Sequence, residues 1–475
     1  VETPVSAFLK LARGKPYSFV LESVEGGAVR GRYSFIGLEP DLIWRCQGNT
    51  ADINRDALDD LDAFAPCPVA ETEGTIASLR SLVAESRIDL PDGLPPMSAG
   101  LVGYAAYDTV RLVEDIPDGN PDTLGIPDGV FIRPTVMAVF DTIKDVISVF
   151  TPVWPRDDVD AQNAYGIAVE RLRRIVGDFD TPLPEAARAH PESDVPNLSP
   201  ASNMTQGEFH AMVEKGKEYI KAGDVFQVVL SQRFSVPFPY PPFALYRALR
   251  RLNPSPFLFF LDFGGFAIVG SSPEILVRMR EGKVTIRPIA GTRRRGKDAA
   301  EDQELANDLL TDPKELAEHL MLLDLGRNDV GRVAETGTVT VTEQFNIENY
   351  SHVMHIVSNV EGKLKPDLDA LDALYAGFPA GTVSGAPKVR AMEIIDELEN
   401  VRRGVYAGCI GYFGADGDMD SCIALRTAVV KDDTVYVQAG GGVVHDSSPE
   451  GEYQESINKS RALIRAAEEA VKFAG

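Results

Sequence analysis

Two pairs of glutamates carry the first hint of chemistry. In DPKELAEHLMLLDLGRNDV, Glu315 and Glu318 stand three residues apart, a spacing that puts both carboxylates on one helix face. Glu452 and Glu455 repeat the spacing in SPEGEYQESINKSRALIRAA, with Lys459 one turn beyond Glu455. Hard divalent cations such as Mg²⁺ take a few carboxylates plus waters and ligand oxygens, so two such helices face to face would make a cation site. Plainer roles fit the same residues. Asp312, Pro313 and Glu315 read as the N-cap, first-turn proline and capping-box acid of a helix start. Glu455 with Lys459 reads equally as a surface ion pair.

Glycines and single reactive side chains are the next candidates. Gly381-Thr-Val-Ser-Gly-Ala-Pro-Lys388 is glycine-rich but misses the G-x-x-x-x-G-K-[ST] spacing, and Pro387 interrupts it, so ATP binding is rejected. Gly440, Gly441 and Gly442 sit between the strand-like VYVQA and VVHD. Backbone N–H groups could approach an anion closely there, although a turn or bulge explains the run as well. Cys409 in AGCIG has an alanine where a thiol elbow needs its first glycine, and no matching His–Glu pair follows; it reads as core. Six histidines are present, His190, His210, His319, His352, His355 and His445. Strand alternation in HVMHIVSNV sets His355 on the face opposite His352 and Ile356. A neutral imidazole there could move a proton or be a buried, hydrogen-bonded structural residue.

These residues need elements to hold them. Apolar spacing predicts helices near 205–222, 300–310, 313–325, 387–399 and 449–471. Strands are predicted at 17–21, 131–140, 145–150, 226–236, 257–269, 275–287, 338–342, 353–360, 405–413, 421–430 and 434–445. Consecutive strands joined by Gly or Asp turns favour a largely antiparallel α+β fold. Residues 181–203 hold five prolines within 181–200 and almost no large apolar side chain, so they read as a linker between a 1–180 and a 204–475 domain. The stretch 115–129 reads as a surface loop.

Composition excludes several partners. With 47 Lys and Arg against 71 Asp and Glu the net charge is −24, a field that repels nucleic acid and anionic membranes. An anionic substrate would need a cation or a local basic cluster. Four scattered cysteines give neither a disulfide framework nor a zinc ribbon. There is no signal-peptide pattern at the start of the sequence and no run of 18 apolar residues, so a cytoplasmic protein is expected.

Five ordered segments carry a family resemblance: PIAGTRRRG (288–296), ELAEHLMLLDLGRND (315–329), HVMHIVSNVEG (352–362), FPAGTVSGAPKVRAMEII (378–395) and QAGGGVVHDSSPEGEYQESINKSRAL (438–463). Together they resemble the chorismate-utilising enzymes, and within them the component I family of anthranilate synthase; FVLES (19–23) and NPSPFLFF (253–260) fit the same family. The resemblance implies a two-layer sandwich of mostly antiparallel sheets with helices outside, and a cleft holding Mg²⁺ and chorismate. It makes Glu318 and Glu455 the metal ligands, with Glu315 and Glu452 acting through water. Gly291, Thr292, Tyr406, Arg426, Gly440, Gly441, Gly442 and Lys459 fall at chorismate-holding positions. Glu274 matches the general acid for the departing C4 hydroxyl, with Thr382 beside it, and His355 matches the histidine tied to the later elimination.

Two positions separate the relatives. Water-adding members carry a lysine base where this chain has Gln227, and aminodeoxychorismate synthases carry a nucleophilic lysine where it has Ala290. Both point to ammonia addition at C2. Arg294 stands where the family usually has proline, which bears on loop stiffness. Ser23, Pro256, Phe257 and Leu258 match a regulatory tryptophan pocket, Phe257 and Leu258 replacing the commoner Tyr and Met. No glutaminase signature is present, so the resemblance implies a separate glutamine amidotransferase subunit as ammonia source, hence a hetero-oligomer, with tryptophan as feedback inhibitor.

Overall fold

Alternation along the strands shows how the layers are built. A computed structural model of the chain describes residues 2–25, 29–155, 159–184, 189–190, 194–350 and 353–474. His352 and parts of the 181–203 stretch lie outside these. In Phe257–Asp262, Phe259 and Leu261 pack with Val102, Tyr104, Ile132, Ile410 and Cys422. Their neighbours Leu258 and Phe260 pack instead with Phe8, Phe243, Tyr246 and Leu463. Ile268 and Val429 join the first group, whereas Val269, Ala428 and Val430 join the second. A strand that is apolar on both faces must be covered on both. One face meets a second sheet layer and the other meets helices.

The ladder is continuous and antiparallel. Gln227–Pro237 pairs with Thr434–Val443, followed by Thr427–Lys431, Ala267–Ser272, Phe257–Asp262, Ser18–Glu25 and Val29–Gln47. It continues through Gly129–Asp141, Gly100–Ala105, Cys409–Gly414, Met419–Ile423, Ile275–Arg280 and Lys283–Ile286 to Val353–Lys363. The long Val29–Gln47 strand joins the layers. Its register shifts between Pro40 and Leu42. Ile36 and Leu38 before the shift face one outer core, and Leu42, Trp44 and Cys46 after it face the other. A bulge bends a strand and raises its twist, which lets one strand serve two sheets. The fold is α+β, two mostly antiparallel layers with helices outside, as the sequence led us to expect.

The two acidic segments form 21-residue helices, Pro313–Val333 and Pro449–Glu469. Each starts at a side-chain cap followed by proline: Asp312 accepts from the Lys314 and Glu315 amides, and Ser448 from the Gly451 amide. The first helix runs eight residues past its expected end. The expected reciprocal capping box is not made, because the Glu315 side chain takes a hydrogen bond from Arg293 instead. Elements not anticipated include the Val29–Gln47 and Gly100–Ala105 strands and the Thr75–Glu85, Ala161–Phe179 and Pro242–Leu252 helices.

Candidate active site

Between the two acidic helices and the sheet lies a cavity of about 630 Å³. The Pro313–Val333 helix supplies Glu315 and Glu318, and the Pro449–Glu469 helix supplies Glu452, Glu455 and Lys459. Strand Ile289–Arg294 adds Gly291 and Thr292, strand Val353–Lys363 adds His355, and strand Thr434–Val443 adds Gly440 and Gly442. Glu274, Thr382, Tyr406 and Arg426 also line it. Gly441 backs onto the acidic pair: a Cβ there would sit 2.5 Å from Glu452 Oε2. Ser23, Pro256, Phe257 and Leu258 line a second cavity of about 850 Å³.

The acid–base groups are set by burial. Glu274 is buried, and desolvation pushes its carboxyl up to about 8, so it carries a proton at neutral pH. Thr382 donates to Glu274 Oε1 at 3.1 Å and the Ile289 amide also bonds the carboxyl, which together fix its orientation. His355 is held 2.7 Å from the Gly291 carbonyl through Nδ1. A carbonyl only accepts, so Nδ1 carries the proton and Nε2 is left with its lone pair. Burial, and then the Arg426 charge, lower the pKa of this imidazole and keep it neutral. Gly291 itself has φ +67°, and a Cβ there would lie 3.1 Å from Glu315 Oε2, so glycine is needed for backbone and space alike.

The anion-binding side is equally built. Burial lowers the pKa of Arg426, and no carboxylate among the described residues counters that effect. A desolvated guanidinium without a counter-charge is a strong site for a ligand carboxylate. Past Val437, strand Thr434–Val443 keeps its pairing to Gln227–Pro237 but has no partner strand on its other edge among the described residues. Lys459 donates to the Gly440 carbonyl at 2.9 Å. The N–H and C=O of a strand residue point to the same side, so the Gly440 and Gly442 amides also face the open edge. The glycine run is thus a regular strand with no bulge. It needs glycine because a Cβ at Gly440 would lie 2.1 Å from the Leu230 carbonyl and one at Gly442 2.0 Å from Gln227 Nε2.

The four glutamates crowd like charges together. Burial, then Glu315, with Glu455 contributing further, raise the Glu318 pKa; burial, then Glu455, raise that of Glu452. Glu452 Oε2 is buried without a hydrogen-bond partner. Among the described residues no three His, Cys, Asp or Glu side chains converge as a closed metal cage. Mg²⁺ does not require one, because it keeps waters and takes ligand oxygens beside one or two carboxylates. Facing carboxylates with an unpartnered buried oxygen fit such an ion. Among the described residues Arg293 pairs with Glu315 (3.1 Å) and Lys459 with Glu455 (2.7 Å), whereas Glu318 and Glu452 form no ion pair.

Sequence reasoning missed the support beneath this lining. Arg403, buried, donates to the Val383 carbonyl at 2.6 Å and the Val229 carbonyl at 2.7 Å, and pairs with buried Glu399 at 2.6 Å. Its guanidinium also stacks over Tyr406, 5.4 Å from the ring centroid. Glu399 in turn accepts from the Ser231 amide and hydroxyl. An i, i+4 Glu–Arg pair gives no sign in sequence of being buried. Gln227 lines the cavity with its Oε1 buried and unpartnered. Cys409 is buried in its strand with the thiol pushed up to about 12, the core role expected of it.

Comparison with known proteins identifies the family. A family model described as chorismate binding enzyme matches residues 37–465. Anthranilate synthase component 1 of Cereibacter sphaeroides is 58% identical, covering 100% of this chain and 94% of that protein. The crystal structure of anthranilate synthase component I from Streptococcus pneumoniae is 39% identical, with TM-score 0.79 over 91% of this chain and 92% of that one. The menaquinone-specific isochorismate synthase of Escherichia coli shares the fold at 20% identity, with TM-score 0.72 over 98% of this chain and 91% of that one. From the long family match and the full-length relatives, the chain belongs to the chorismate binding enzymes, on the branch of anthranilate synthase component 1.

Proposed function

We propose that this protein makes anthranilate from chorismate and ammonia, through 2-amino-2-deoxyisochorismate. The observation that carries the reading is buried Glu274, protonated and held by Thr382, in one cavity with an Arg426 that has no carboxylate partner. Arg426 and the free Gly440 and Gly442 amides bind substrate carboxylate; Tyr406, Thr292 and Lys459 shape its seat. Glu274 gives its proton to the C4 hydroxyl, which leaves as water while ammonia forms the new bond at C2. His355 Nε2 then takes the C2 proton, the side-chain ether bond breaks as the ring becomes aromatic, and the departing enolate takes up a proton at its methylene carbon to leave as pyruvate. Chorismate plus ammonia therefore yields anthranilate, pyruvate and water. Bound Mg²⁺, held by Glu318 and Glu455 with Glu315 and Glu452 acting through water, would neutralise the ring carboxylate in a protein of net charge −24.

Gln227 and Ala290 favour this outcome over hydroxylation at C2 or amination at C4, since neither offers a base or a nucleophile. A separate glutamine amidotransferase subunit supplies the ammonia. Tryptophan binds the second cavity at Ser23, Pro256, Phe257 and Leu258 and inhibits from there. Residues 1–180 contribute Ser23 to that pocket, and 204–475 carry the chemistry. Mixing the protein with chorismate, Mg²⁺ and an ammonium salt tests the reading by anthranilate fluorescence. Isochorismate or 4-amino-4-deoxychorismate as the product overturns it.

A further inference from the structure

The two cavities share a wall. Pro273, Ile289 and Tyr350 line both; the Ile289 amide also bonds the Glu274 carboxyl, and Tyr350 touches the ring of His355. Its ring lies edge-on to His355 with centroids 5.3 Å apart. On the side of the second cavity its hydroxyl donates to Glu348 Oε2 at 3.0 Å, and Arg287 holds the other oxygen of that carboxylate. Arg287 and Glu348 line the second cavity and not the first. The Tyr350 backbone is tied separately, its carbonyl accepting from Arg295 at 2.9 Å and its amide donating to Val353 at 2.8 Å. The side chain can therefore respond to Glu348 without the strand end moving.

The His355 ring has two kinds of restraint. The Nδ1 edge is pinned to the Gly291 carbonyl, with the Thr292 hydroxyl 3.2 Å from the same nitrogen, and contacts at that one atom leave the ring able to swing about it. Packing by Tyr350 opposes the swing. We propose that Tyr350 is a positioning residue that couples the cavities: a ligand bearing on Arg287 and Glu348 resets Tyr350, and Tyr350 resets the face that His355 presents to substrate. This rests on the reading that the second cavity takes tryptophan, and it names the path by which occupancy there reaches the chemistry. A ligand moves an equilibrium only by its unequal affinity for two arrangements, and coupling between binding sites is reciprocal. Chorismate must then alter tryptophan affinity by the same factor.

Without an ammonia source chorismate is not aminated, so both ligands can be present at equilibrium. The experiment is calorimetric titration of tryptophan into the protein with Mg²⁺, with and without saturating chorismate. For the unaltered protein the two dissociation constants should differ by a factor of roughly 5–150. Tyr350→Phe keeps the ring and cuts the link to Glu348, and Glu348→Gln weakens the same link from its other end. Both should bring the factor below about 2 while tryptophan affinity in the absence of chorismate changes less than about threefold, a split that a purely structural role does not give. Full coupling in both variants overturns the inference and leaves the tryptophan pocket standing. No tryptophan binding by the unaltered protein overturns the pocket reading and the inference with it.

Discussion

Burial keeps Glu274 protonated, which ties both rate and stability to pH. Its ordinary value is 4.5 and its folded value about 8. Between those values the unfolded chain has released the proton and the folded chain has not, so stability falls as pH rises through this window and levels off above about 8. Glu274→Gln should flatten that dependence in thermal melts taken from pH 5 to 9. It should also cost roughly 10²–10⁴-fold in turnover, the usual worth of a general acid. With free ammonia saturating at every pH, turnover of the unaltered protein should decline above about pH 8 as the acid is lost; a rate still rising at pH 9 under that condition would remove Glu274 from that role. For His355 the argument separates two steps. His355→Ala should still consume chorismate and accumulate 2-amino-2-deoxyisochorismate, seen by chromatography; normal anthranilate formation would take the second step away from this histidine. Glu318→Ala and Glu455→Ala should each abolish turnover. Each should also weaken Mn²⁺ binding measured by electron paramagnetic resonance, a readout independent of catalysis.

Arg403 fastens three elements at once: the turn after Thr382, the Gln227–Pro237 strand and the segment carrying Tyr406. Removing one partner of a buried ion pair strands the other, at a cost of about 3–5 kcal/mol, whereas replacing both by apolar side chains costs less. Arg403→Met should therefore lower the melting temperature more than Arg403→Met combined with Glu399→Leu. The double variant should still turn over more slowly, because Thr382 and Tyr406 lose their brace. A double variant as active as the unaltered chain would make Arg403 purely structural. Element by element, what the sequence revealed follows from how local each signal is. Helices starting near 205, 313 and 449 were legible because apolar spacing is local, and the start at Asp312 also because cap, proline and acid are neighbours in sequence. The Val29–Gln47 strand was not, since Gly37, Glu39 and Pro40 interrupt its alternation where it bends between layers. The acidic pairs were visible by spacing, but their meaning came from family likeness. That Arg426 lacks a counter-charge, that Gly440 faces an open edge and that Tyr350 is a shared wall are properties of convergence between distant segments, and no local pattern encodes them.

Across the whole molecule, strands from the start of the chain are laced with strands from its second half into one ladder. Ser18–Glu25 lies between Val29–Gln47 and Phe257–Asp262, and Gly100–Ala105 lies between Gly129–Asp141 and Cys409–Gly414. A protease site introduced near Leu183 should yield two fragments that co-elute under native conditions and melt in a single transition; separation of the pieces would deny the lacing. The same lacing sets a timetable at the ribosome. Gly100–Ala105 waits for a partner that ends at Gly414, and 414 − 105 = 309 residues must be made first. At about 5–20 residues per second that is roughly 15–60 s with a sheet edge uncovered. An open, apolar edge invites pairing with another nascent chain. Yield in a cell should therefore track chaperone supply and slower growth temperature more closely than it tracks the stability of the finished protein.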